Sequence, residues 1–143
     1  MSAHKPLEGV KVVELASFVA APTAGRMMAE MGADVIRVES TAGDPWRFYG
    51  ANCGLPITDE ENPLFDIYNL GKKDIQLNTK TPEGKEILFH LLDEADVFIT
   101  NNRLKSLVRS GLDYESLKDR FPKLIYGLVT GYGQTGPDVD APG

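Results

Sequence analysis

One cysteine, two histidines and no long apolar run are the first limits this sequence of 143 residues sets on its own chemistry. With Cys53 alone there is no internal disulfide and no multi-cysteine metal site, so a reducing cytoplasm is the expected compartment. His4 lies in a terminal stretch, and His90 lies in an apolar helical pattern beside Leu91 and Leu92. Neither has a clustered partner, so no metal or catalytic role is assigned to them. Met1 to Pro6 is polar, unlike a signal peptide, and nothing approaches the roughly 20 apolar residues that span a bilayer. Cations are short as well: 15 Lys and Arg stand against 21 Asp and Glu. The net charge of −6 argues against nucleic acid as a partner, because that role needs a basic face. A small anionic ligand stays compatible, since a few local cations and helix amides hold one.

Several catalytic signatures are missing too. The first strand-to-helix loop, Ala16–Pro22, is not G-x-G-x-x-G, so a backbone wrapped closely around an NAD or FAD pyrophosphate is not expected there. There is no G-x-S-x-G, no Cys/His pairing at Cys53, and no carboxylate pair with acid/base spacing on one element. Internal repeats and low-complexity segments are absent.

What is present is an alternation of strand and helix. Strands are expected at Lys11–Leu15, Asp34–Glu39, Asp74–Leu77, Val97–Thr100 and Leu124–Thr130. Helices are expected from about Pro22 to Met31, with Gly32 beyond the end, and from Pro82 to Ala95, with Thr81 as N-cap. Shorter ones fall at Leu104–Ser110 and Tyr114–Arg120. Between Ser40 and Asn62, Gly, Pro, Asn and Asp recur around Trp46, Phe48 and Tyr49, which reads as a long irregular loop. The segment from Gly131 to Gly143 reads as a loop leading elsewhere. The fold class is therefore α/β, a Rossmann-like parallel sheet with flanking helices and right-handed crossovers. Ligands of such sheets bind beyond the carboxyl ends of the strands. Those ends are Leu15-Ala16-Ser17, Glu39-Ser40, Leu77-Asn78, Thr100-Asn101 and Thr130-Gly131.

Each candidate there has a bland reading beside the functional one. Small residues in Ala16–Pro22 let a ligand approach the helix start, or simply pack that helix on the sheet. Glu39 sits where a ribose-binding acid sits in dinucleotide folds, but without the glycines a solvated or ion-paired strand end is preferred. Lys72, Lys73 and Lys80, with Arg103, Lys105 and Arg109, supply cations near two strands, or only a solvated face. Asp44, in Gly43-Asp44-Pro45, initiates a turn. The residues alone thus give a ligand-binding domain with no visible nucleophile.

Seven motifs in order add a resemblance covering Pro6 to Gly143. They are P-L-E-G-V-K-V-V-E-L (6–15), M-G-A-D-V-I-R-V-E (31–39), G-D-P (43–45), G-K-K-D-I-Q-L-N-T-K-T-P-E-G (71–84), A-D-V-F-I-T-N (95–101), P-K-L-I-Y (122–126) and G-Y-G-Q-T-G-P (131–137). Together they resemble the N-terminal part of the family III CoA-transferases, the formyl-CoA:oxalate and carnitine CoA-transferase class. Ser17–Pro22, Thr100-Asn101 and Gly111–Glu115 are most similar to the aryl-lactate and isocaproate branch of amino-acid fermentation, which acts on 2-hydroxy acids and enoyl-CoA species.

The resemblance implies that residues 1–143 form an incomplete CoA-binding Rossmann-like domain, without the small domain. It implies coenzyme A and acyl-CoA as substrates, no tightly bound cofactor, carboxylic acids as the other partners, and an interlocked homodimer in full-length relatives. Ser17, Phe18, Val19 and Ala20 match the segment that contacts pantetheine and adenine. Ser40 stands where many members place a phosphate-binding arginine, so that charge is missing. Leu77 and Lys80 match a pair at the adenine and phosphates, Asn101 matches a strand-end asparagine, and Asn102 replaces a usual phenylalanine. Arg109 matches a phosphate-facing arginine, with Ser110 its neighbour. The family's nucleophilic aspartate is expected beyond Gly143, so no catalytic residue and no metal ligand is assigned. An α-methylacyl-CoA racemase-like isomerase and a truncated, non-catalytic CoA-binding domain remain as alternatives.

Overall fold

Charged residues set between β-branched ones make two neighbouring strands, Lys11–Leu15 (β1) and Asp34–Glu39 (β2), parallel in the computed structural model, which describes residues 4–139 and Ala141. The helix between them, Ala20–Glu30 (α1), starts two residues before the expected Pro22, since proline is tolerated throughout a first turn. Gly32, at φ +104°, turns the chain out of α1 as expected. Lys73–Gln76 (β3), Val97–Thr100 (β4) and Ile125–Leu128 (β5) complete a parallel sheet in the order β3-β2-β1-β4-β5. The chain starts in the middle, winds out to one edge, then crosses back to the other. Its direction of winding reverses between β1 and β4.

The segment 40–62 corrects the expectation of an irregular loop. It contains Trp46–Tyr49 (α2) and a 3-10 turn at Gly50–Cys53, stabilised by aromatic packing: Trp46 stacks on Tyr49 at 4.6 Å between centroids. A further helix, Pro63–Asn69 (α3), was not expected at all. Its signal was short but present, with the Asn62 side chain accepting from the Phe65 N–H (3.3 Å) and Pro63 in the first turn. Pro82–Asp93 (α4) and Leu104–Ser110 (α5) stand as expected, each within two residues at its ends, whereas the next helix stops at Leu117 (Tyr114–Leu117, α6).

The two faces of the sheet differ in chemistry. On one, Val13, Leu15, Val38 and Phe98 pack with Leu88 and Leu92 of α4 and Leu107 of α5 into the larger apolar core. On the other, Val12, Ala16, Val35 and Ile99 pack against Ala21 of α1. That second face turns polar toward the carboxyl end, where Glu14 and Arg37 are both fully buried. The two are direct register partners, and Arg37 is in turn the partner of Asp74 on β3. Three charged residues thus stand in one row across three strands.

Gly25 is where α1 meets that row. A Cβ there would stand 1.9 Å from Glu14 Oε2, so the helix can lie over the carboxylate only without a side chain. Gly to Ala inside a helix ordinarily stabilises by about 1 kcal/mol. Here we expect Gly25→Ala to destabilise by about 2–4 kcal/mol, because it pushes Glu14 off its buried cations. Urea unfolding of the variant measures this; a gain in stability contradicts the placement of Glu14.

Candidate functional site: a cleft at the carboxyl edge of the sheet

At the reversal point the loops after β1 and β4 diverge and leave a cleft of about 210 Å³. Leu15, Ala16 and Ser17 come to it from β1, Val38, Glu39 and Ser40 from β2, Leu77 and Thr79 from beyond β3, and Asn102 from beyond β4, while Gly43, Asp44 and Pro45 close one side. Of the positions singled out in the sequence, Ser17, Ser40, Leu77 and Asn102 are therefore brought together. Phe18, Val19 and Ala20 continue from Ser17 into the start of α1. Asn101 works on the main chain: its side-chain amide donates to Ser17 O (2.7 Å) and its Oδ1 accepts the Ser17 N–H (3.0 Å). This reciprocal pair clamps the ends of β1 and β4 together.

Other candidates stand apart. Lys80 is exposed, one residue past Thr79, and Arg109 is exposed in the last turn of α5; neither lines the cleft. Ser110 bonds its own helix, donating to Ser106 O (2.9 Å) and Leu107 O (3.0 Å). Lys72 and Lys73, read as cations on a solvated or ligand-facing side, are both engaged. The Lys72 side chain is out of solvent, its ammonium on Glu14 Oε2 (2.7 Å), Pro22 O (2.8 Å) and Asn69 Oδ1 (3.1 Å), and Lys73 pairs with Asp34 (2.7 Å).

Beneath the cleft lies a charge network whose extent sequence reasoning missed. Arg37 bonds Glu14 Oε1 (3.2 Å), Asp74 Oδ2 (3.2 Å), Glu39 and Asp44. Arg47 joins it through Glu39 (2.6 Å) and Asp74 (3.0 Å). Phe65 of α3 covers both guanidiniums, with ring centroid distances of 4.9 Å to Arg37 and 3.8 Å to Arg47. Glu39 is thus an ion-paired strand end, as preferred from the sequence. Asp44 does initiate a turn, accepting the Trp46 N–H at 2.8 Å, but it also takes the Phe18 N–H (3.1 and 3.2 Å to its two oxygens) and Arg37. A signal for the network was readable: charged residues inside strands of a parallel sheet are buried on both faces and must find partners.

Four carboxylates, Glu14, Glu39, Asp44 and Asp74, share three cations, Arg37, Arg47 and Lys72. The surplus is resolved between Glu39 and Asp74. Burial, then a hydrogen bond to Glu39 and its charge, raises Asp74 from 3.8 to about 7. Burial acts on Glu39 in the same direction, but hydrogen bonds from Arg47 and Asp74 and the two guanidinium charges outweigh it and bring Glu39 down to about 2. Burial is also the largest influence on Glu14, raised, and on Lys72, lowered, each opposed by the other's charge.

An α/β sheet with its cleft at the winding reversal, without the dinucleotide glycines in the loop after β1, defines a Rossmann-like ligand-binding class. Within that class the chain belongs to CoA-transferase family III, whose model matches residues 7–143. It is 54% identical over 135 residues to the cinnamoyl-CoA:phenyllactate CoA-transferase of Clostridium sporogenes, covering 94% of this chain and 33% of that one. It is 47% identical over 137 residues to the (R)-2-hydroxy-4-methylpentanoate CoA-transferase of Clostridioides difficile, covering 96% and 34%. The chain spans about a third of the length of these curated relatives. A CAIB/BAIF family protein from Brucella suis superposes with a TM-score of 0.90 at 44% identity, covering 98% of this chain and 37% of that structure. Among the described residues no helix is long and apolar enough to cross a membrane.

The shared proton has a measurable consequence. Between pH 3.8 and about 7 the folded protein keeps a proton on Asp74 that the unfolded chain has released, so stability falls as pH rises through that window. The Glu39 contribution has the opposite sign: present above pH 4.5, it is lost as pH falls toward about 2. We expect denaturant titrations from about pH 5 to 8 to show the decline in the wild type and a flatter profile in Asp74→Asn. Parallel profiles contradict the shared proton.

Proposed function

We propose that the protein is an acyl-CoA transferase moving CoA between carboxylic acids, with this domain holding the CoA portion of the thioester. The observation that carries the reading is the convergence on one cleft of Ser17 and Leu77, which match CoA-contacting positions by family resemblance, with Ser40 and Asn102, which replace the arginine and phenylalanine usual at two such positions, in a chain of CoA-transferase family III. The two relatives named above support 2-hydroxy acids and their enoyl-CoA counterparts as the substrate class. The same reading takes the enzyme as cytoplasmic and homodimeric.

The chemistry proposed is covalent. A carboxylate attacks the thioester carbonyl and expels CoA thiolate, leaving a mixed anhydride on the enzyme. The thiolate then attacks the enzyme's own carbonyl of that anhydride, releasing the first acid and forming an enzyme–CoA thioester. The second acid reverses both steps, so one difficult exchange becomes a series of easier ones. Glu39 and Asp44 are the carboxylates at the cleft, and both are committed to guanidiniums and main-chain N–H groups. Neither is free to attack, so the nucleophile is sought outside the described residues. In this division of labour the sheet edge binds and orients CoA; Ser17 and Asn102 offer polar groups and Leu77 an apolar wall. Ser40 is exposed at the rim, without the arginine that many members carry.

Isothermal titration with CoA tests binding, and a turnover assay with cinnamoyl-CoA and phenyllactate tests the exchange. Binding with a Kd below about 1 mM is expected. Ser40→Arg is expected to tighten it by about two- to fivefold and Ser40→Asp to weaken it by a similar factor, because an exposed charge at the rim contributes up to about 1 kcal/mol. If CoA produces no heat and neither substitution changes that, the cleft is not a CoA site.

A further inference from the structure

Phe18 is the one non-glycine among the described residues with positive φ, at +62°. A left-handed backbone is sterically costly for an ordinary side chain, so something must hold it there. Burial of the ring does not, because Phe18 is 47% exposed and meets Trp46 only edge-on, at 6.3 Å between centroids. Its main chain is held instead. Both oxygens of Asp44 receive the Phe18 N–H, and the Asn101 amide brackets the residue before it on both its N–H and its C=O.

Asp44 is itself fixed from several sides. It is 2% exposed, its carboxylate takes the Trp46 N–H and the Arg37 guanidinium, and its own N–H donates to Glu39 Oε2 at 2.8 Å. Arg37 in turn is locked by Glu14, Glu39 and Asp74. A rigid chain of bonds therefore runs from the middle of the sheet to a single peptide N–H at the mouth of the cleft.

We propose that Asp44 is a positioning residue for the ligand: by holding Phe18 in the left-handed conformation it gives the loop Ser17–Ala20 one shape, ready for CoA. This rests on the reading of the cleft as a CoA site. A loop ordered before binding loses less freedom when the ligand arrives, so the effect appears in affinity.

The test uses Asp44→Asn, which keeps the size of the side chain but loses its charge and one acceptor. It is combined with Phe18→Gly and Phe18→Ala, both of which remove the ring, while only glycine enters positive φ without steric cost. Asp44→Asn is expected to weaken CoA binding by about tenfold and to speed hydrogen exchange of the Phe18 amide. In that background Phe18→Gly is expected to bind several-fold more tightly than Phe18→Ala, since glycine recovers the conformation unaided. Wild-type binding of CoA with no change in Asp44→Asn overturns this inference alone, and so does equal affinity of the two double variants. Absence of CoA binding by the wild type overturns the functional reading and this inference with it. If Asp44→Asn loses exchange protection in β1, the single Phe18 variants decide. A carboxylate that fixes the backbone makes Phe18→Gly more stable than Phe18→Ala by a few degrees in Tm and keeps their CoA affinities within about twofold. A tenfold affinity gap between them, or a wild-type Phe18 amide that exchanges as freely as an exposed loop, overturns the proposal.

Discussion

The Arg37 guanidinium lies wholly out of water with four carboxylates around it, and the upper half of the fold is arranged to keep it there. Removing an ion from water costs several kcal/mol even after the protein relaxes, and pairing repays that cost only when the donors are fully used. Arg37 meets the condition by drawing one partner from each neighbouring strand, one from its own strand and one from the turn beyond it. Gly25 gives Glu14 room, Lys72 shares its charge, and Phe65 closes the solvent side. Five segments distant in sequence are thereby fixed relative to one another.

The network also decides what the cleft offers a ligand. Arg37, Arg47 and Lys72 are all engaged with carboxylates, so these cations beneath the cleft are not free to neutralise phosphates. Ser40 adds no charge at the rim. The lining presents main-chain and small polar groups with apolar walls at Leu15, Val38 and Leu77. Recognition at such a surface depends on shape and on well-placed hydrogen bonds, and orientation of the loop after β1 matters more than attraction at a distance.

Carboxylates at the cleft are equally constrained. Glu39 is held far below its ordinary range and Asp44 is bonded on both oxygens, which commits both to structure. Their part in the chemistry is to hold other groups still. In the proposed covalent transfer, such a domain serves as a rigid seat for the carrier, apart from the free carboxylate that attacks its thioester.

Most of the strand and helix order, the parallel sheet and the cleft's position were legible in the sequence, because they follow from local periodicity, caps and a topological rule. Four of the cleft residues were singled out through the family resemblance. Strands β2 and β4 and helix α5 fall where the residue pattern places them. The short helix α3 was not legible: a single cap and proline carry its local signal, and its stability comes from Phe65 packing over two guanidiniums. Asp44 looked like a turn residue, and it is one, but its other bonds reach Phe18 and Arg37, 26 and 7 residues away. Lys72 looked like a surface cation because nothing in its neighbourhood along the chain announces Glu14, 58 residues earlier. The sequence by itself determined which residues alternate, where elements begin and which family pattern they follow. Only the tertiary structure decided which charges are buried together, since register across strands and the cover of a distant helix are contacts that no local pattern encodes.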